Sequence, residues 1–240
     1  PYIKYIDIEK ELRNSNSATL KKMPGWIISL IEAIIRQREM NDYLNKFEGY
    51  EDVDFLDAVL KEFNITLQIE GEENLPENGK CFFVANHPFG IIDGLIITRI
   101  VCSKYKNFKS IGNDAFLLIP NLRSHIAKVN VYGKSSKEEI TQLNEVYNSD
   151  IPITHFPAGE VSRIYHGKIS DCTWQKSFIG KSFSCQRDIV PIHFLGRNSI
   201  LFYSIFLFRK IFHIKLNIEL ILLPREMLKK RNKTIRVKIL

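Results

Sequence analysis

Four cysteines in 240 residues, Cys81, Cys102, Cys172 and Cys185, show no C-x-x-C spacing and are too few to staple a chain of this length. They read as free thiols of a reducing compartment. No signal peptide opens the chain, and no run of about eighteen apolar residues occurs, because residues 200–208 are followed at once by Arg209 and Lys210. A spanning helix is therefore not expected, although a segment lying on a membrane is. Gly133-Lys134-Ser135 and Gly180-Lys181-Ser182 have Lys128 and Gln175 where a phosphate-binding loop needs its first glycine. No G-x-S-x-G elbow is present, which speaks against a serine hydrolase. His87, His125, His155, His166, His193 and His213 fall in no H-E-x-x-H or Cys/His spacing, so no metal is expected. His193 reads instead as a satisfied core residue of a strand. Internal repeats, low-complexity tracts and long linkers are also missing. Pro1 stands where an initiator Met would, and the last residues read as a strand, so one or both ends are expected to be trimmed.

What is present is an ordinary globular composition, 45% apolar and 25% charged, with an uneven charge. The net charge is +7, yet residues 181–240 hold thirteen Lys or Arg against Asp188, Glu219 and Glu226. That quarter carries +10 and the rest −3. Such asymmetry suits an anionic partner, either a lipid leaflet or nucleic acid.

Apolar residues from Trp26 to Ile35 recur at helical spacing behind Pro24-Gly25 and predict a helix over 26–40, with a second over 53–63. The texture then changes. Short β-rich runs at Thr66–Glu70, Cys81–Ala85, 128–132, 153–156, 189–194 and 217–222 alternate with helical patterns at 91–103, 136–147 and 174–184. Alternation of this kind predicts an α/β fold with a largely parallel or mixed central sheet flanked by helices. Residues 1–64 are expected to form an N-terminal helical cap on an α/β domain of residues 65–240, the two making one compact unit.

The densest punctuation follows Cys81–Ala85: Asn86-His87-Pro88-Phe89-Gly90-Ile91-Ile92-Asp93-Gly94. A histidine just past a buried parallel strand lies where α/β sheets place ligands. On a regular helix His87 and Asp93 would sit on different faces, so they meet only if Pro88 and Gly90 bend the segment. With that bend, the carboxylate holds one imidazole nitrogen and leaves the other as a base. The alternative is a capping turn with a helix-start Asp. A second cluster, His155-Phe156-Pro157-Ala158-Gly159-Glu160-Val161-Ser162-Arg163, follows the next strand, and Arg163 is suited to grip a carboxylate or phosphate. Backbone amides near Gly90 or Gly159 are candidate oxyanion donors.

Asn86-His87 with Asp93, then Phe156-Pro157-x-Gly159 with Arg163, then Val190-Pro191-Ile192 resembles the glycerolipid acyltransferase superfamily, which includes 1-acylglycerol-3-phosphate acyltransferases. The fuller pattern, with Asp171 and Trp174, is similar to its hemolysin-like branch of N-acyltransferases making ornithine and glycine lipids. The likeness covers roughly residues 65–240. Two departures stand out: five residues rather than four separate His87 from Asp93, and Ala158 replaces the Glu of glycerol-phosphate members, with Glu160 two positions later. The superfamily's intermediate block is recognisable only as Phe116–Pro120 leading to Val129-Asn130-Val131.

The resemblance implies an acyltransferase of membrane-lipid synthesis without a cofactor of its own, its co-substrate an acyl carrier protein or coenzyme A thioester. His87 and Asp93 would be catalytic, and Asn86, Gly90, Gly159, Glu160 and Arg163 would line the substrate. Ala158 and the displaced Glu160 favour a small amino acid's amine as acceptor. The alternative is O-acylation of lyso-phosphatidate or a related glycerolipid. The expected location is cytoplasmic, peripheral on the inner face of the cell membrane. A further alternative is a basic nucleic-acid-binding module using the aromatics of residues 181–240. Those aromatics sit in near-continuous apolar runs, which suits lipid better, and no nucleic acid is expected as partner.

Overall fold

The structure is a computed structural model that describes residues 2–15, 17–112, 119–128, 137–214 and 216–240. Residues 116–118 of the expected Phe116–Pro120 block, Val129-Asn130-Val131 and most of the strand expected at 128–132 lie outside these residues, as does Gly133-Lys134-Ser135.

Among the described residues the chain opens with α1 (Ile8–Asn14), α2 (Ala18–Lys21), α3 (Gly25–Ile35), α4 (Gln37–Lys46) and α5 (Asp52–Glu62). The helix expected over 26–40 is two helices, because Arg36 takes a left-handed conformation (φ 58°) that ends α3 and starts α4. The break lets α4 turn a polar stripe inward. Gln37, Asn41 and Asn45, spaced one turn apart, use their side-chain amides to bind the backbone of Ile8, Ile6 and Ile3 at 2.7–2.8 Å.

Beyond them run β1 (Thr66–Glu70), β2 (Cys81–Ala85), α6 (Ile91–Tyr105), β3 (Lys109–Gly112), β4 (Ile126–Lys128), α7 (Lys137–Asn148) and β5 (Ile153–His155). A short hairpin of β6 (Arg163–Tyr165) and β7 (Lys168–Ser170) precedes α8 (Ser177–Cys185), β8 (Asp188–Leu195), α9 (Ile200–Ile211), α10 (Leu223–Leu228) and β9 (Thr234–Ile239). The sheet order is β1-β9-β8-β2-β5-β3-β4, and every pairing is parallel except β8 with β9. The α/β fold with a mostly parallel sheet is thus as the alternating texture predicts.

β2 is the middle of the sheet, and all five of its residues are buried, as a strand covered on both faces requires. Cys81, Phe83 and Ala85 pack into the large cluster with α5, α6 and the end of α4. Phe82 and Val84 face the other way, onto Phe178 of α8 and Val146 and Tyr147 of α7. Burial raises the Cys81 thiol to about 11, so it packs as a small apolar group. In β8 the alternation turns His193 outward, so it is exposed rather than a core residue.

Residues 217–222 read as a strand but form a 3-10 turn, Ile218–Leu222, that runs into α10. Pro224 in the first turn of α10 favours the helix start, and Glu219, the polar break in the apolar run, is pulled fully inside by two arginines. The final strand is β9, whose Ile235, Val237 and Ile239 alternate into the core.

Arg187, buried between α8 and β8, donates to the carbonyls of Val146, Tyr147, Ser149 and Ile151, and its guanidinium stacks over Phe82 at 5.5 Å. It satisfies the open carbonyl end of α7. Arg187→Ala strands those acceptors in the interior and is expected to lower stability by about 3 kcal/mol, read as a lower urea midpoint at unchanged slope. An unchanged midpoint would show that water satisfies these carbonyls equally well.

Candidate active site

β2 delivers the chain to the C-terminal edge of the sheet, and the bend there is the feature that places the histidine. α6 begins only at Ile91, so residues 86–90 lie outside it. Asn86 continues the strand through its side chain, donating to the Phe194 carbonyl at 2.9 Å and accepting from the Phe194 amide at 2.7 Å. Gly90 turns at φ +90°, and a Cβ there would stand 2.8 Å from a Leu223 methyl, so a side chain at this position strains the backbone and displaces Leu223. Asp93 is the third residue of α6 and is fully buried. Its Oδ2 accepts from the amides of Phe89 (2.9 Å) and Gly90 (3.2 Å), and its Oδ1 from Gly94 (2.9 Å). Three amides and the positive end of the helix dipole hold the carboxylate in place.

The same Oδ1 lies 3.1 Å from His87 Nδ1, at an angle short of a well-aligned hydrogen bond. The bend therefore does bring the two residues together. The imidazole stacks on Phe156 (centroids 4.0 Å apart, 27° between planes), and 12% of its side chain is exposed. With Nδ1 turned to Asp93, Nε2 is the nitrogen left for a substrate.

The loop after β5 closes over this turn. Ser162 N donates to the His87 carbonyl at 2.8 Å, and His87 N donates to Asp171 Oδ1 at 3.2 Å. Asp171 also accepts from Ser162 Oγ at 2.5 Å and from Trp174 Nε1 at 2.9 Å. One carboxylate thus joins the His87 turn, the loop of residues 156–162 and the segment before α8. His155, its Nδ1 buried without a partner, faces Phe178, and burial lowers it to about 4, so it stays neutral.

Two expectations are corrected here. The amides of Gly90 and Gly159 themselves are already engaged, which leaves only their neighbours for an oxyanion: Gly90 N is bound by Asp93, and Gly159 N closes a turn onto the Phe156 carbonyl at 2.9 Å. Gly159 itself turns at φ +68° beside open space. Arg163 is not an exposed clamp; it is 0% exposed, donates to Glu219 at 2.8 Å and to the Val161 carbonyl at 2.6 Å, and lies 3.1 Å from Glu160. Glu160, expected near a substrate ammonium, is matched by Arg163 and by the Tyr165 hydroxyl at 2.5 Å. Burial and this carboxylate together push the Tyr165 hydroxyl up. Glu219 also holds Arg209 of α9 at 2.9 Å. Glu219 belongs to no motif, although an acidic residue in so basic and apolar a quarter is itself a signal.

A histidine oriented by a buried carboxylate at the end of a central parallel strand, open on one edge, is the arrangement of a general-base transferase or hydrolase site. Comparison with known proteins narrows this: the family model for acyltransferases matches residues 11–240, and the chain belongs to that family. It is 39% identical over 230 residues to the lyso-glycine lipid O-acyltransferase of Phocaeicola vulgatus, covering 95% of this chain and 82% of that protein. It is 36% identical over 233 residues to the protein of the same name from Bacteroides thetaiotaomicron, covering 97% and 86%. Among solved structures, the 1-acyl-sn-glycerophosphate acyltransferase PlsC of Thermotoga maritima aligns over 90% of this chain and 81% of its own at 16% identity. Its TM-score is 0.42, too slight a likeness to bear on the site. The chain is an acyltransferase. The N-acyltransferase branch is not the one these relatives' names indicate; they match the hydroxyl alternative better.

Asp171→Asn keeps the volume but replaces one acceptor oxygen with a donor, loosening the turn from the loop that closes it. Acyl transfer is expected to fall by about tenfold to a hundredfold, with KM little changed, because the loss is in placing the imidazole. Steady-state kinetics with a thermal unfolding control reads this; an unchanged kcat would show that Asp171 only packs.

Proposed function

We propose that the chain moves an acyl group from an acyl carrier protein or coenzyme A thioester to the hydroxyl of a single-chain lyso-lipid bearing an amino-acid headgroup, as the names of its relatives suggest. The observation that carries the reading is the 3.1 Å approach of His87 Nδ1 to the buried Asp93 carboxylate, which turns Nε2 away from it. His87 Nε2 takes the hydroxyl proton as the oxygen attacks the thioester carbonyl carbon. The carbon–sulfur bond breaks, and the same proton passes to the leaving thiolate. Asp93 keeps Nδ1 protonated and stabilises the imidazolium between the two transfers. The amine acceptor loses its main support because Glu160 already has its counter-ion in Arg163.

His87→Ala is expected to lower transfer by about two to four orders of magnitude with the fold intact, and Asp93→Asn to cost less at the same step. Purified protein, an acyl thioester, and a panel of lyso-glycine lipid, lyso-phosphatidate and free glycine, read by mass spectrometry, test the acceptor. Diacylated glycine lipid is the expected product. Acylated glycine alone, or phosphatidate alone, would overturn the reading.

The site would work at a bilayer surface. No helix among the described residues is long and apolar enough to cross a membrane. α9 is apolar on both sides, however: Phe202, Tyr203 and Phe206 are buried, which removes them from any role in stacking on bases, while Leu207, Phe208 and Ile211 face outward. Trp26 and Leu30 of α3 are likewise exposed. An outward apolar stripe beside the exposed Lys210 suits a helix lying in the headgroup region. Sedimentation with anionic vesicles is expected to capture the protein, with high salt releasing part of it, since each basic residue near the leaflet contributes about 1 kcal/mol. Equal capture by neutral vesicles would show that charge is not the cause.

A further inference from the structure

A groove of about 600 Å³ separates α3 from α9, outside the His87 site and within the size range of ligand sites. Ile34 forms one wall, Leu201 and Ile205 the other, and Leu222 lies at its base. Its charged lining is all cationic: Arg36, Arg225 and Lys229. The carboxylates behind these cations are shared. Glu39 is paired with both Arg36 (2.7 Å) and Arg231. Glu226 stands 4.0 Å from Arg225 and 3.3 Å from Lys229 while accepting from Ser199 N and Oγ at 2.7 and 2.6 Å. Arg225 Nη1 is buried with no hydrogen-bond partner. An apolar trough lined by three cations that have only Glu39 and Glu226 between them, Glu39 being drawn on by Arg231 as well, fits an amphiphile with an acidic head.

We infer that this groove holds the acyl chain of an anionic single-chain lipid, with the carboxylate of its headgroup at Arg36, Arg225 and Lys229. The inference rests on the lyso-lipid reading and adds to it a seat for the acceptor. Two further observations support it. The groove is bounded by the two helices that carry the outward apolar residues, so a chain can enter from a bilayer without crossing water. At its base, Leu222 precedes Leu223, whose methyl stands against Gly90 in the turn that carries His87. The base of the groove is therefore joined through Leu223 to the turn that carries His87.

The test uses the full chain, no thioester, and dansyl-undecanoic acid as probe, followed by its fluorescence. Saturable binding is expected, equal in wild type and His87→Ala, and displaced by lyso-glycine lipid. Ile205→Trp and Ile34→Trp fill the groove from opposite walls, and each is expected to weaken binding at least about tenfold while unfolding at the wild-type temperature. Arg225→Gln is expected to weaken the acid about tenfold and leave the probe's methyl ester unchanged. Undiminished binding in either folded Trp variant, or equal loss of acid and ester in Arg225→Gln, overturns the inference. So does a concentration-dependent dimer that Ile205→Trp abolishes, since a second copy would then be the occupant. Loss of transfer in His87→Ala with the probe still bound in both Trp variants would remove the groove and leave the catalytic reading standing. Transfer surviving in His87→Ala while the Trp variants lose the probe would do the reverse.

Discussion

The turn at residues 87–90 leaves the central strand with its amides pointing at carboxylates, and the geometry of the site follows from that. Asp93 collects Phe89 and Gly90, and Asp171 collects His87. A buried carboxylate is costly unless its oxygens are filled, and here the donors that fill Asp93 belong to the same turn that must be held still. Satisfying the charge and fixing the histidine are one event. The remaining degrees of freedom of the ring are taken up by Phe156 stacked on its face and Ser162 bound to its carbonyl.

A second set of buried charges links this turn to the surface. Glu219 is fully buried between Arg163, at the start of the β6–β7 hairpin, and Arg209 on α9. Breaking such a set by removing one partner leaves an uncompensated charge inside, so its members stay together as the surroundings move. The hairpin begins one residue after Ser162, which binds the His87 carbonyl, and α9 presents Phe208 and Ile211 outward. The apolar face and the reacting turn are thereby connected by polar contacts rather than by packing alone.

Much of this was legible in the chain because it rests on local rules. β2 and its neighbours were readable as short apolar runs, and the meeting of His87 with Asp93 followed from Pro88 and Gly90 in the interval between them. Residues 217–222 were misread because alternation around Glu219 resembles a strand; its ion partner Arg163 is 56 positions away, and no local pattern announces it. For the same reason Arg163 and Glu160 looked like substrate ligands when they answer each other and Glu219. The split of the helix expected over 26–40 was hidden because a non-glycine left-handed residue, Arg36, has no sequence signature. That the amides of Gly90 and Gly159 are themselves taken is equally invisible in the chain, because a backbone donor's partner is a property of the fold.

The central claim is that His87 and Asp93 act as one unit on one proton, and a double-mutant cycle in kcat tests it most directly. With lyso-glycine lipid as acceptor, His87→Ala, Asp93→Asn and the pair are compared under saturating donor. If Asp93 works only through the imidazole, adding Asp93→Asn to His87→Ala costs nothing further, and the double variant is as active as His87→Ala alone. Costs that multiply across the two positions would contradict the account and make Asp93 an independent support of the fold.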